Sequence, residues 1–274
     1  QLRWGPGANP NDANGFITDA HAKGFKILLS VLGDPESIRG GANYGDYASY
    51  VAGVAALGAD AIEVWNEMNI DREWPGGEIS GASYTQLLKQ AYSAIKASHP
   101  ATMVISGAPA PTGYFGGCST AGCDDKPYVE AMAQAGATSY MDCLGVHYNE
   151  GIVPPSQTSG DPRGSSDYYT RYYQTMISTY YNAAGGRRKL CFTELGYLTG
   201  EGYSPPLAEV APGFGWAGST TVSQQAQWLA DATRMAQSDS RVRLIVVFNV
   251  DFTGWGQDPQ GGYAIIRPGG GCPA

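Results

Sequence analysis

A chain of 274 residues, 43% hydrophobic and only 15% charged, has the length of one α/β barrel and the composition of a globule with a sizeable core. Its formal charge of −8 offers phosphate backbones and anionic lipid heads no cluster of Lys and Arg, which argues against nucleic acid and membrane surfaces as partners. Nowhere is there an apolar run of about 18 residues, and no charged-then-apolar leader opens the chain, so a soluble protein is expected, from which an export signal could already have been removed.

In chain order, Gln1 to Trp4 reads as a strand stub and the stretch around Asn11 to Lys23 as a helix. Phe25 to Leu32 and Ala61 to Asn66 are apolar, β-rich runs. Ser83 to Ser98 places Leu88, Ala91, Tyr92 and Ile95 at helical spacing and stops at His99-Pro100. Met103 to Gly107 is the next strand, Asp124 to Ala135 a helix, Cys143 to Tyr148 a strand, Asp167 to Ala184 a helix and Lys189 to Thr193 a strand. Thr221-Val-Ser-Gln224 is a capping box ahead of a helix over Gln225 to Gln237, with Trp228, Leu229, Ala232 and Met235 as its apolar stripe. Val242 to Asn249 is the last clear strand.

Apolar strands alternating with amphipathic helices predict an α/β fold, a TIM (β/α)8-type barrel forming a single domain over residues 1–274. Six strands and a stub leave the barrel one short. Either the first βα unit is absent or truncated, or a strand hides in an irregular stretch such as Tyr263 to Ile266.

The cysteines are odd in number, at five. Cys118 and Cys123 bracket a Gly-rich loop suited to a small disulfide, which favours an extracellular or periplasmic location. Zinc is the competing interpretation of a close Cys pair, but His21, His99 and His147 all lie elsewhere in the sequence. Cys143 and Cys191 sit in strand-like runs and are expected to be buried small hydrophobes, while Cys272 has no evident partner. Aromatic residues in Gly- and Pro-rich stretches, among them Trp74, Tyr114, Phe115, Tyr203, Trp216 and Trp255, are either sugar-stacking platforms or packing under loops.

Two strands end in carboxylates. Ile62-Glu-Val-Trp-Asn-Glu-Met-Asn69 passes from apolar to polar at Asn66 and Glu67, and Leu190-Cys-Phe-Thr-Glu-Leu-Gly-Tyr197 does so at Glu194. The carboxyl ends of barrel strands are where such folds build active sites. A pair of carboxylates can protonate a leaving glycosidic oxygen and attack the anomeric carbon, and their separation selects retention or inversion.

These residues resemble the clan A glycoside hydrolases, family 39-like or family 5-like, whose Trp-Asn-Glu-Pro-Asn and Thr-Glu-Xaa-Gly signatures stand here as Trp65-Asn66-Glu67-Met68-Asn69 and Thr193-Glu194-Leu195-Gly196. The resemblance implies a retaining β-glycosidase with Glu67 as acid/base, Glu194 as nucleophile and Asn66 as donor to the sugar 2-hydroxyl. It implies His147 or Tyr148 beside the nucleophile, and since neighbours on a strand face opposite ways, one of them is expected to be structural. Trp65, Trp216, Trp255 and Phe248 are the remaining substrate-binding candidates, with Arg3 and Trp4 as further possible lining. Phe248 replaces the Trp that many relatives carry there, and Met68 replaces the signature Pro.

No metal and no organic cofactor is expected, since there is no three-ligand cluster, dinucleotide loop or phosphate loop in the sequence. The expected partner is an oligo- or polysaccharide, cut internally at β-linkages. The alternative is a carbohydrate-binding barrel without catalysis. Nothing in the sequence fixes an oligomeric state.

Overall fold

The structure, a computed structural model, describes residues 1–164 and 168–272. They form two compact units, one of residues 1–146 with 180–191 and the other of residues 147–179 with 192–274. Strand and helix alternate from end to end, with seven strands among the described residues.

In the first unit, β1 (Leu2–Trp4), β2 (Leu28–Gly33), β3 (Ala61–Val64) and β4 (Met103–Ser106) make a parallel sheet in that order. Register pairs Val31 with Leu2 and Val64, and Ile62 with both Leu29 and Val104. Every residue of β3 is buried, as expected for a strand covered on both faces. The stub is therefore a real strand. A bridge from Ile105 to Cys143 extends the parallel pattern beyond β4.

Three helices cross between these strands. α1 (Asn14–Ala22) follows a 3-10 turn over Pro10–Ala13, capped where the Asn9 side chain accepts from the Asn11 N–H. α2 (Tyr44–Ala56) is a crossover that the sequence pattern did not reveal; it packs beside α3 (Gly81–Ser98) and buries Tyr44, Tyr47, Val51 and Val54. Gly45 and Gly53 dilute its helical signal, yet Gly53 is needed, because a Cβ there would come within 2.6 Å of the Pro10 ring. α3 begins two residues before its predicted start, at a Ser80 cap.

α4 (Asp125–Gln134) matches its predicted span. Cys143 and Cys191, expected as free buried thiols, are instead joined in a disulfide, so their burial reflects a cross-link and not simple apolar packing. Cys118 and Cys123 are also bonded. The Asp124 carboxylate organises the small cystine loop by accepting from the N–H groups of Phe115 and Gly117.

β5 (Leu144–Tyr148), β6 (Leu190–Leu195) and β7 (Val242–Val247) form a second sheet in that order. α5 (Tyr173–Ala183) starts later than the predicted Asp167, a residue that lies outside the described ones. α6 (Leu207–Val210) is one turn, and α7 (Val222–Ser238) carries the predicted capping box. There Gln224 N–H donates to the Thr221 hydroxyl at 3.1 Å while Thr221 N–H donates to Gln224 Oε1 at 2.9 Å.

In the second unit, Leu198, Leu207, Ala217, Ile152 and Tyr263 pack as one core cluster. Gln225, buried on α7, donates to the carbonyls of Tyr197 and Gly262 and so ties the helix to the segments on either side of that cluster. β7 stands last in this three-stranded order, with Arg243 and Val246 exposed, which departs from the fully covered run predicted. Tyr263 to Ile266 is no strand. Ile265 and Ile266 N–H bond the carbonyls of Asn249 and Val250, closing an irregular hairpin after the 3-10 turn Gln260–Tyr263.

Candidate active site

At the carboxyl end of β3 the backbone changes hand twice, with Trp65 at φ 71° and Glu67 at φ 39°. Non-glycine residues enter this region only where their surroundings hold them there. Two tyrosine hydroxyls do so. Tyr47 on α2 donates to the Val31 carbonyl at 2.7 Å and accepts from the Trp65 N–H at 3.2 Å. Tyr84 on α3 donates to the Val64 carbonyl at 2.8 Å and accepts from the Gly107 N–H at 2.6 Å. Each thus bridges the ends of two neighbouring strands, and burial pushes both phenols up from their ordinary pKa, so both remain neutral donors.

Trp65 does not offer a stacking face. Its side chain is fully buried, with Tyr47 and Trp74 ring centroids at 5.5 and 5.8 Å, and its indole N–H donates to the Glu73 carbonyl at 2.6 Å. This corrects its assignment as a substrate-binding residue: the ring is the post on which the Glu67 turn is built. Trp74 is buried in the same stack, and Trp4 packs edge-on to Tyr47 at 5.3 Å, so neither of these is an exposed platform.

Glu67 stands on this turn with its N–H on the Ala108 carbonyl at 2.9 Å and its carbonyl accepting from Ile70 at 3.2 Å. Asn69, fully buried, holds the turn from beneath, donating to the carbonyls of Ala110 and Cys123 and accepting from the Ala110 N–H at 2.7 Å. Met68 is buried where the signature has Pro. Gly107 is required opposite, since a Cβ there would lie 2.8 Å from the Val64 carbonyl oxygen and 3.1 Å from Met68 Sδ.

The Asn66 carboxamide is nearly buried, and its Oδ1 has no hydrogen-bond partner, a costly state for a polar atom shielded from water. Glu67 Oε2 accepts from Arg72 Nη2 at 2.6 Å, and Arg72 Nε lies 3.4 Å from Glu73 Oε1. Burial, joined by the charge on Glu67, holds the Glu73 carboxyl above its ordinary range despite Arg72. Arg72 and Glu73 were not singled out from the sequence. Their only signal was adjacency to the motif.

The end of β6 is built differently. Glu194 Oε2 accepts from Asn149 Nδ2 at 3.3 Å and lies 3.6 Å from His147 Nδ1, both partners coming from the end of β5 or just beyond it. Asn149 is held through its carbonyl, which accepts from Tyr263 hydroxyl at 2.8 Å. Gly196 allows close approach here, because a Cβ would fall 2.2 Å from the Phe248 carbonyl oxygen.

Strand alternation separates the next two candidates. His147 faces Glu194, whereas Tyr148 is buried between Tyr173 and Tyr197, with both centroids at 5.7 Å, and its hydroxyl donates to the Arg171 carbonyl. Tyr148 is therefore a packing residue, a correction to its place among the substrate-binding candidates. Asn149 is a neighbour of Glu194 that the sequence motif did not single out.

Phe248, Trp216 and Trp255 are partly buried and pack on the same core cluster. Phe248 meets Tyr263 edge-on at 5.6 Å. Tyr203 covers one face of Trp255 at 4.3 Å, and the Arg163 guanidinium lies over Trp216 at 4.6 Å. Arg163 is itself clamped on Asp161, with Nε and Nη2 at 2.9 and 2.7 Å from the two carboxylate oxygens.

Among the described residues no group of three or more His, Cys, Asp or Glu side chains could hold a metal ion. No helix among them is long and apolar enough to cross a membrane.

No protein-family model and no curated protein matches the chain. Solved structures do. A family 39 glycoside hydrolase from the gut symbiont Bacteroides cellulosilyticus WH2 superposes with a TM-score of 0.60 at 15% identity, covering 97% of this chain and 53% of its own. A glucosidase from Croceicoccus marinus gives 0.62 at 14% identity, covering 96% and 52%. The GH53 catalytic domain of Ignisphaera aggregans gives 0.58 at 16% identity, covering 96% and 76%. The chain thus spans about half the length of the first two structures. Its structural neighbours are clan A glycoside hydrolases, and the α/β fold it shares with them is that of the TIM-barrel enzymes.

Proposed function

We propose that this chain is a retaining β-glycosidase acting within a β-linked polysaccharide, and that residues 1–274 serve as one catalytic domain. The observation that carries the proposal is that Glu67 and Glu194 each stand at or just beyond the carboxyl end of a strand, in a fold shared with glycoside hydrolases. Known neighbours of that fold include a β-mannanase from Bacteroides ovatus and an endoglucanase catalytic domain from Thermobifida fusca, which supports a β-linked polymer as the substrate class.

In this mechanism Glu194 attacks the anomeric carbon and Glu67 gives its proton to the departing oxygen. The glycosyl ester on Glu194 is then hydrolysed by a water that Glu67, now ionised, deprotonates. Asn149 and His147 orient the nucleophile. The unpartnered, nearly buried Asn66 Oδ1 suits a hydroxyl of the bound sugar. Phe248 supplies the platform below that sugar, with Trp216 and Trp255 lining further sites at their open edges. The reaction needs neither metal nor cofactor. Two disulfides fit an oxidising compartment, which favours secretion.

The test is hydrolysis of β-glucan, xylan and mannan and of aryl β-glycosides by the wild type, Glu67→Ala and Glu194→Gln, with the product anomer followed by NMR. β-Anomer released first, lost in both variants, supports the assignment. α-Anomer released first would mean inversion, and glycan binding without turnover by the wild type would make this a binding barrel.

A further inference from the structure

The turn after β3 carries two carboxylates and one guanidinium in contact, Glu67, Glu73 and Arg72, with Arg72 Nη2 at 2.6 Å from Glu67 and its Nε at 3.4 Å from Glu73. The Arg72 side chain is 66% exposed while those of Glu67 and Glu73 are 12% and 15% exposed, so the cation lies on the solvent side of the carboxylates. Trp65 pins the backbone of Glu73 through its indole N–H, and the Glu73 N–H donates to the Ile70 carbonyl, so Glu73 keeps its place beside the motif. Arg3 also acts on Glu73, and the buried Glu63 accepts from Ala108 N–H at the same strand end.

An acid catalyst must hold a proton when substrate arrives, and an arginine on its carboxylate opposes this. With one proton shared between the two carboxylates the triad is neutral. Arg72 touches both carboxylates at once and so opposes protonation of each, while the charge on each carboxylate favours protonation of the other.

We propose that Arg72 is a positioning residue whose shared contact with Glu67 and Glu73 sets the pH at which Glu67 carries its catalytic proton. The inference rests on the acid/base role given to Glu67 above. The guanidinium favours the ionised form of Glu67, and the neighbouring Glu73 carboxylate favours the protonated form that gives its proton to the leaving oxygen. Glu73 is part-buried, and that burial holds its carboxyl above the ordinary carboxylate range despite the contact with Arg72. The two carboxylates titrate as a coupled pair.

The variants shift Glu67 in opposite directions. Arg72→Met removes the cation, so the Glu67 titration midpoint rises by about one pH unit, the low end expected for an opposite charge in contact because this guanidinium is well solvated. Glu73→Gln removes a competing acceptor and a neighbouring negative charge, so the midpoint falls. Both sites are on a surface turn, and thermal unfolding of each variant checks that the fold is retained.

The experiment is a 13Cδ NMR titration of Glu-labelled protein, with the Glu67 signal assigned by its loss in Glu67→Gln. It is paired with kcat/KM against pH on a β-glycoside with a poor leaving group. Opposite shifts of the Glu67 midpoint, followed by the alkaline limb of kcat/KM, support the proposal. Midpoints unmoved in both variants overturn it, even if azide rescues Glu67→Ala and so upholds the acid/base role. Shifted midpoints in a protein whose turnover is indifferent to Glu67→Ala would uphold the tuning by Arg72 and Glu73 and sink the acid/base assignment instead.

Discussion

Replacing Tyr84 by Phe deletes one oxygen atom from the interior of the first unit and is expected to cost far more than its size suggests. The hydroxyl donates to the Val64 carbonyl at 2.8 Å and accepts from the Gly107 N–H at 2.6 Å, all within a fully buried environment. A net hydrogen bond stabilises by about 1 kcal/mol, and a buried backbone group left without a partner costs about 1–3 kcal/mol. Two backbone groups lose their partner at once, so we expect a loss of about 2–4 kcal/mol. Urea unfolding followed by tryptophan fluorescence would show it as a lowered midpoint at unchanged slope. Because Val64 and Gly107 flank the Trp65-to-Glu67 turn, kcat should fall as well, with little change in KM. A stability loss below about 0.5 kcal/mol would mean that water or a shifted strand end replaces the hydroxyl, and the account of how β3 is held would be wrong.

Gly107→Ala acts on the same place through volume, because the added Cβ meets the Val64 carbonyl oxygen at 2.8 Å; we expect a loss of about 1–3 kcal/mol and reduced activity in the same assays. The two disulfides should differ. Bridging residues 48 apart, Cys143–Cys191 should contribute about 4 kcal/mol by restricting the unfolded chain, against about 2 kcal/mol for Cys118–Cys123, which are 5 apart, as paired Cys→Ala variants compared by urea midpoint would reveal. Asp161 makes a pH prediction. Burial tends to raise its pKa, but the hydrogen bonds and charge of Arg163 outweigh this and hold it below the usual carboxylate range. A folded-state pKa lowered in this way gives stability that is present above the unfolded value, near 3.8, and lost as pH falls through the folded one. Asp161→Asn should therefore be less stable than wild type at pH 7, with the gap closing below about pH 3.8, and a gap that persists unchanged at pH 2 would refute the ion-pair account.

β3 and β6 were legible because each lies in an apolar run that ends at polar residues, whereas β1, Leu2-Arg3-Trp4, offered only a stub. α2 was hidden for a physical reason. Its buried face is made of tyrosines and valines, residues of indifferent helix propensity, interrupted by Gly45 and Gly53, and its stability comes from packing on α3. Cys143 and Cys191 could not be paired from sequence, because a thiol in an apolar strand looks the same free or bonded. Trp65 was misassigned since a motif names a residue without giving its side-chain direction, and the left-handed backbone at Trp65 cannot be read from its type.

The residues that make Glu67 more than a strand-end carboxylate follow from the same logic. Tyr47 and Tyr84 act across 18 and 20 positions of sequence, from two different helices onto the ends of three adjacent strands, so no local pattern announces them. Arg72 and Glu73 are local, but as charges on a surface turn they look like ordinary solvated side chains until Trp65 and Ile70 are seen to fix the backbone beneath them. The β6 end shows the complementary arrangement. Glu194 is met by an amide and an imidazole from β5 and the residue following it, whereas Glu67 is met by an exposed guanidinium that also contacts a second carboxylate. That asymmetry matches the division of labour proposed for them: a nucleophile needs donors that hold its charge and its aim, while an acid/base must pass between two protonation states in each turnover and so stands between a cation that favours its ionised form and a carboxylate that favours its protonated one.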